Sequence, residues 1–313
     1  MNIAVLGGAG FIGTNLVMEL AKNYHNKLLL VDEKKDYFRH IFDMNIENVS
    51  FLESDFLVDT DFDSMLFGQE IVYHLVSTTV PATSNKQISK ELEENVLMTS
   101  KLLEACVRQN IKKVIFVSSG GTVYGKESNC PLSEDAPTNP ITSYGVQKLT
   151  IEKLLYLYNH MYGLDYRIIR LANPYGPYQR PNGMLGAVTT FIYKALKEES
   201  ITVYGDGTVV RDFIYIDDAI KGILKIANST GRHKLYNLGS GVGTSINELL
   251  RQIQKELQIE LQIEYVDKRD VDVRENYLDM SRYIQEFGKW SPISLEEGVR
   301  KTALFLSQKK VER

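Results

Sequence analysis

Gly7-Gly8-Ala9-Gly10-Phe11-Ile12-Gly13 follows directly on the strand-like run Ile3–Leu6 and opens an amphipathic stretch, Phe11–Lys22. The heptapeptide satisfies G-x-G-x-x-G from Gly8 and G-x-x-G-x-x-G from Gly7. Glycine is needed where a turn takes positive φ and where the backbone approaches a pyrophosphate with no Cβ in the way. The amides freed at the helix start, together with the helix dipole, then face the phosphates. A glycine turn alone also serves purely structural ends, so the context decides. Here a strand precedes, a helix follows, and a second strand ends at Asp32, nineteen residues beyond Gly13. An acid there accepts both hydroxyls of the adenosine ribose and repels a 2′-phosphate, which predicts NAD rather than NADP. Asp55-Phe56, just after the third strand-like run, stands where an adenine could be hydrogen-bonded and covered; a turn aspartate explains Asp55 nearly as well.

Outward from the turn, Lys27–Val31, Val49–Glu53, Ile71–Leu75, Val114–Val117 and Arg167–Arg170 read as strands, and Glu91–Gln109 and Tyr144–Tyr162 as amphipathic helices. Strands apolar on both faces, alternating with helices, predict an α/β fold: a Rossmann-like, doubly wound parallel sheet. From about Asn173 the texture turns to Asn173-Pro174-Tyr175-Gly176-Pro177 and Arg180-Pro181-Asn182-Gly183, where a smaller α+β lobe is expected to begin. Residues 211–227 and 234–238 read again as sheet-and-helix material. The expected domains are therefore 1–172 with roughly 211–238, for the dinucleotide, and 173–210 with 239–313, for the substrate.

The chain's 313 residues suit one large or two modest domains. Its 36 basic against 40 acidic residues give a net charge of −4, a poor basis for binding nucleic acid as a polymer. Cys106 and Cys130 cannot build a disulfide framework and have no histidines at zinc spacing, so no metal is expected. The apolar runs are strand-length, far below the ~18 residues of a membrane span. No membrane partner and a reduced, cytoplasmic compartment are the expectation.

Tyr144 and Lys148, four residues apart at the start of a helical stretch, share one helix face. A phenol is a poor base at neutral pH unless a cation stabilises the phenolate, and Lys148 with a positive nicotinamide would do so. Such pairs are common on solvated helices, and this chain has 18 tyrosines. The conjunction carries more. Val117-Ser118-Ser119-Gly120-Gly121-Thr122-Val123-Tyr124-Gly125, Asn95, residues 170–177 (RLANPYGP), residues 210–218 (VRDFIYIDD) and residues 237–241 (NLGSG) accompany the glycine turn and the pair. Together they resemble the extended short-chain dehydrogenase/reductase superfamily over nearly the whole chain, and most closely its NAD-dependent epimerase/dehydratase branch that modifies nucleotide sugars, with UDP-glucose 4-epimerase nearest in kind.

The resemblance implies roles residue by residue. Tyr144 would be the acid/base, and Lys148 would bind the nicotinamide ribose and lower the tyrosine pKa. Gly7, Gly10, Phe11, Ile12, Gly13, Asp32, Asp55, Phe56, Leu75 and Asn95 would line the NAD site. Asn173 and Arg211 would hold a substrate diphosphate, Arg269 the diphosphate and nucleoside, and Asp272 the uridine ribose, with Thr202 and Tyr204 lining the uracil. There is one departure: the family places serine or threonine where this chain has Gly120, so the relaying hydroxyl must come from Ser119, Thr122 or water. Related dehydratases and decarboxylases carry an acid beside that hydroxyl; here Gly120, Gly121 and Thr122 offer no carboxylate, which favours redox epimerisation at C4 of a UDP-sugar. Other nucleotide-sugar activities, and a non-catalytic dinucleotide sensor, remain open at this level. The family also dimerises through the two long helices, where Leu97, Leu155 and Tyr158 serve either an interface or the core.

Overall fold

The structure, a computed structural model, describes residues 1–308 apart from 59–60, 82–83, 127–128, 182–185 and 269–272. Seven strands form the main sheet: β1 (Asn2–Leu6), β2 (Lys27–Asp32), β3 (Val49–Glu53), β4 (Ile71–His74), β5 (Lys113–Ser119), β6 (Asp165–Leu171) and, later in the chain, one at Leu235–Leu238. The order across the sheet is the late strand, then β6-β5-β4-β1-β2-β3. β1 pairs in parallel with both β2 and β4, so the strand order reverses on either side of it. In a doubly wound sheet that reversal opens a crevice at the carboxyl end of the strand, and the glycine turn leaves β1 there. The apolar runs explain the burial. β5 is buried from Val114 to Ser118, and Ala4, Leu6, Val72, Phe116 and Leu102 meet in one core cluster.

β1, β2, β5 and β6 run a residue or two beyond the sequence reading at one or both ends, β3 matches it and β4 stops one residue short at His74, and the stretch expected as one helix over 91–109 is in three pieces. Ile88–Leu92 and Met98–Arg108 are α-helical, and Glu93–Leu97 between them is π-helical. Leu155 and Tyr158 belong to the core cluster, whereas Leu97 is exposed.

The chain divides into two compact units, Met1–Ser119 with Thr142–Ile169 and Ile226–Tyr236, and Gly120–Ile141 with Arg170–Lys225 and Asn237–Arg313. Residues 120–141 and 211–225 thus go with the second unit, where the sequence reading put them in the first. The pairings give the reason. The strand Val210–Tyr215 bonds to Asn173–Tyr175, Gly243–Ser245 and Glu275–Asn276 and not to the main sheet, and Leu132 bridges to Leu278.

At the start of β6, Arg167 is 2% exposed, with Nη1 donating to Asp165 Oδ1 at 2.9 Å and Nη2 to the Ser229 carbonyl at 2.6 Å. Lys113 and Lys234 also pair with Asp165. Burial pushes the Asp165 carboxyl up, but the bonds and charges of Lys234 and Arg167 outweigh it and hold the group below the usual carboxylate range. Asp165→Ala would leave a buried guanidinium without its counter-charge, costing about 3 kcal/mol in urea unfolding at neutral pH. Because the folded pKa is depressed, the contribution is full above the unfolded value and is lost below it. The gap between wild type and variant should therefore close as pH falls below about 4.

Candidate active site

The glycine turn is built by backbone contacts that exclude side chains. The Gly7 and Gly8 amides both donate to the Val31 carbonyl, at 2.8 and 3.2 Å, and Gly7 has φ +81°. A Cβ on Gly13 would lie 2.3 Å from the Gly7 oxygen, so helix Phe11–Ala21 packs directly on the turn. A Cβ on Gly10 would meet only that same oxygen, at 3.2 Å, so the turn is open on this side. Gly10 caps the helix without a side-chain hydrogen bond, and the first turn carries no acid. The positive helix end is thus left to a ligand anion, which fits a pyrophosphate.

Asp32 closes the turn from β2: its Oδ2 accepts from the Ala9 amide at 3.0 Å and its Oδ1 from the Glu33 amide at 2.9 Å. Leu75 lies against the turn, its carbonyl carbon 3.2 Å from the Cβ position of Gly7. Asp55 accepts from the Leu57 amide at 2.8 Å. The ring of Phe56, expected to cover an adenine, is instead a core side chain 5.4 Å from the Phe62 ring. Apolar surface with no polar handle goes to the core, which leaves Asp55 as the polar side chain at that corner. Asn95 sits in the π-helical turn. Its Oδ1 accepts from the Thr78 amide at 3.0 Å, and its Nδ2 donates to Thr78 Oγ1 at 2.8 Å and the Glu91 carbonyl at 2.9 Å. Both amide donors are used, so Asn95 pins the loop after β4 from a wider turn of the kind often found at functional sites.

The helix Ser143–Tyr162 begins with Thr142, whose Oγ1 accepts from the Gly145 amide at 3.1 Å; this cap puts Tyr144 in the first turn. Lys148 is 5% exposed, and its Nζ lies 5.6 Å from the Tyr144 ring centroid, 4.8 Å from the Phe116 centroid, and 3.1 Å from the Val117 carbonyl, to which it donates. Burial pushes the Tyr144 phenol up to about 12 and the Lys148 ammonium down to about 8. The sequence reading expects the lysine to lower the phenol. In the protein alone burial wins, because the ammonium stands over the ring and bonds to a backbone carbonyl.

Several residues of this region carry no sequence signal. Thr79 Oγ1 donates to Gln147 Oε1 at 3.0 Å, and Gln147 Nε2 donates to Ser143 Oγ at 2.9 Å and Glu91 Oε2 at 3.3 Å. Asn85 Oδ1 accepts from the Ser143 amide at 2.7 Å. These bonds stitch the loop after β4 to the start of the tyrosine helix. Ser118 Oγ donates to Glu152 Oε1 at 2.6 Å in the interior, whereas Ser119 is half-buried. Only the i+4 spacing from Lys148 could have marked Glu152.

The second unit holds the expected substrate residues. Asn173 Nδ2 donates to the Asp212 carbonyl at 2.9 Å, and Arg211 Nη1 donates to the carbonyls of Val210 and Val273 at 2.8 and 2.7 Å. The Asp212 carboxylate is wholly buried and accepts from the Ser240 amide and hydroxyl, both at 2.7 Å, and from the Gly241 and Leu278 amides, both at 3.2 Å. Thr202 and Tyr204 share the edge strand Ile201–Tyr204, with Tyr204 exposed. Arg269 and Asp272 lie outside the described residues. Gly120 explains the departure from the family pattern: a Cβ there would be 2.7 Å from a Leu278 methyl and 3.1 Å from the Arg170 carbonyl, so leucine fills the side-chain space. Asn276 Nδ2 donates to the Gly120 carbonyl at 3.2 Å, while Asn276 Oδ1 and Thr122 Oγ1 are buried with no hydrogen-bond partner among the described residues.

The parallel sheet, the glycine turn at its switch point and the buried lysine under a helix-start tyrosine define a class: an extended short-chain dehydrogenase/reductase, an α/β scaffold for dinucleotide chemistry. Residues 3–239 match the model of the NAD dependent epimerase/dehydratase family, and the chain belongs to that family. NAD is accordingly its cofactor. The chain is 33% identical over 313 residues to the UDP-glucose 4-epimerase of Mycolicibacterium smegmatis, covering 99% of each. It superposes with TM-score 0.90 on a UDP-N-acetylglucosamine 4-epimerase of Methanobrevibacter ruminantium in complex with UDP-N-acetylmuramic acid, at 32% identity and 98% of both chains. A UDP-glucuronic acid 4-epimerase of Bacillus cereus, in complex with UDP-glucuronic acid and NAD, gives the same score at 28% identity, covering 98% of this chain and 99% of that one. Among the described residues no helix is long and apolar enough to cross a membrane.

Proposed function

We propose that the protein inverts C4 of a UDP-hexose of the glucose/galactose type through a transient 4-keto sugar. The observation that carries this reading is the buried Lys148 ammonium 5.6 Å from the centre of the Tyr144 ring. Tyr144 takes the proton of the C4 hydroxyl as C4 loses hydride, and returns it after the sugar has turned. NAD, when bound, supplies the hydride acceptor and donor and a positive ring. That second cation is what the phenol needs, since burial alone leaves it near 12. Ser119 or Thr122 would relay the proton; the Thr122 hydroxyl, buried without a hydrogen-bond partner among the described residues, has capacity to spare. Gly7, Gly10 to Gly13, Asp32, Asp55, Leu75 and Asn95 would form or brace the cofactor cradle. Asn173, Thr202, Tyr204, Arg211, Arg269 and Asp272 would take the nucleoside diphosphate, whose binding energy holds the ketone while the sugar rotates.

Elimination is disfavoured because Gly120 and Gly121 offer no proton donor for a leaving hydroxyl, and Leu278 occupies the side-chain space at Gly120. A second reading, a UDP-N-acetylhexosamine substrate, gains from Asn276, whose buried Oδ1 lacks a donor that an amide N–H would supply. UDP-glucose, UDP-N-acetylglucosamine, UDP-glucuronate and UDP-xylose should therefore be assayed side by side. The turned-over sugar should also raise absorbance near ~340 nm in the purified protein without added NAD. Turnover of only the N-acetyl sugar would replace the first reading with the second, and a 4,6-elimination product would refute both. We further propose a cytoplasmic homodimer joined along the tyrosine helix, whose Val146, Leu157 and Met161 are exposed with Leu97 of the neighbouring helix.

A further inference from the structure

Lys148 and Glu152 are opposite charges one helical turn apart, and both are withdrawn from water, at 5% and 4% exposure. An isolated ammonium so placed would lose its proton instead of paying the desolvation cost. The Val117 carbonyl and the Phe116 face attract the cation but carry no net charge. Glu152 is fixed by Ser118, whose hydroxyl donates to Oε1 at 2.6 Å.

Among the described residues, the other titratable groups facing this pair are Tyr144 on the same helix, His74 on β4 and Tyr166 on β6. Both phenols are pushed up by burial and stay neutral. The His74 ring is neutral as well. Thr99 donates its one hydroxyl proton to the Asn95 carbonyl at 2.6 Å, so at the 2.9 Å contact with His74 Nε2 the histidine must be the donor. Its Nδ1 is then a bare acceptor, buried without a hydrogen-bond partner among the described residues. Burial, with the charge of Lys148, takes the ring down to about 3. Of these groups only Glu152 can answer the lysine's charge.

We propose that Glu152, locked by Ser118, is a positioning residue for the reaction: its carboxylate keeps Lys148 a cation beneath Tyr144. The catalytic half of this inference rests on the proposed role of Lys148; the charge pairing does not. Glu152→Gln keeps an amide oxygen to accept from Ser118 and removes the negative charge. Lys148 already titrates near 8, below its unfolded value, so its cation is costly at lower pH and the cost fades as pH rises. Glu152→Gln should therefore lower the urea midpoint strongly at about pH 6 and much less at about pH 9, where Lys148 is neutral with or without Glu152. In a Lys148→Met background the same change should cost little at either pH. The alkaline limb of turnover, and of NAD binding by calorimetry, should move down by about one unit. Ser118→Ala should move it in the same direction by less. A midpoint loss equal at both pH values and undiminished by Lys148→Met would overturn the proposal in favour of plain packing. A pH-dependent loss with unmoved limbs would keep the pairing but overturn both the positioning role and the reading of Lys148 as the site's cation.

Discussion

Tyr144→Phe should lower turnover by about three orders of magnitude while leaving bound NAD and thermal stability nearly unchanged. The hydroxyl is the proposed proton carrier. The ring, which packs 5.6 Å from the Lys148 ammonium, is retained. Two measurements check this: initial rates at saturating UDP-sugar, and nicotinamide released from the denatured protein. A phenylalanine variant with more than about a tenth of wild-type rate would remove Tyr144 as the base, since general acid–base groups contribute at least about a hundredfold. Loss of NAD together with activity would mean that the hydroxyl holds the cofactor. The pH profile separates the two partners. Burial moves the phenol up to about 12 and the ammonium down to about 8, so in the protein alone both drift toward neutrality. Turnover should fall above about pH 8 as Lys148 loses its proton.

Gly13→Ala should abolish NAD retention and destabilise the fold by about 2–3 kcal/mol. The new Cβ would sit 2.3 Å from the Gly7 oxygen and 2.8 Å from the Cα of Gly8, and these backbone atoms can yield only if the helix lifts off the turn. Gly10→Ala is the informative contrast. Its Cβ would meet only the Gly7 oxygen at 3.2 Å, so the fold should tolerate it while NAD affinity drops at least about tenfold where the pyrophosphate approaches. Urea unfolding and calorimetric titration with NAD distinguish the two. Equal affinity losses with equal stability losses would mean that Gly10, like Gly13, serves only the fold.

Much of the first unit was legible because its signals are local. A period-two or fully apolar run makes a strand, a glycine turn needs its glycines within seven residues, and an i+4 pair lies on one face by helix geometry alone. Gly7–Gly13, Asp32, Tyr144 and Lys148 all belong to this kind. Phe56 shows the limit: its place after β3 suggested a covering ring, but Phe62 and the core claim it. The π-helical turn at Asn95 left no mark in the composition of Glu91–Gln109, because it is held by bonds to Thr78, seventeen residues away.

Gly120 is the clearest case of a fact that waits on distant chain. In the sequence it is a missing hydroxyl; in the structure it is space given to Leu278, with Asn276 bonded to its carbonyl. The same holds for residues 211–225, whose sheet-and-helix pattern is correct but whose partners at 173–175, 243–245 and 275–276 lie outside the main sheet. The class of fold, the glycine turn and the proximity of Tyr144 to Lys148 could be read from the residues alone, because each depends on neighbours within a few residues. The burial of Lys148 against the Val117 carbonyl, the Ser118 bond to Glu152 and the neutral ring of His74 came only from the folded chain. Burial and electrostatic partnership are properties of what packs around a group, and here the packing comes from strands and helices tens of residues apart.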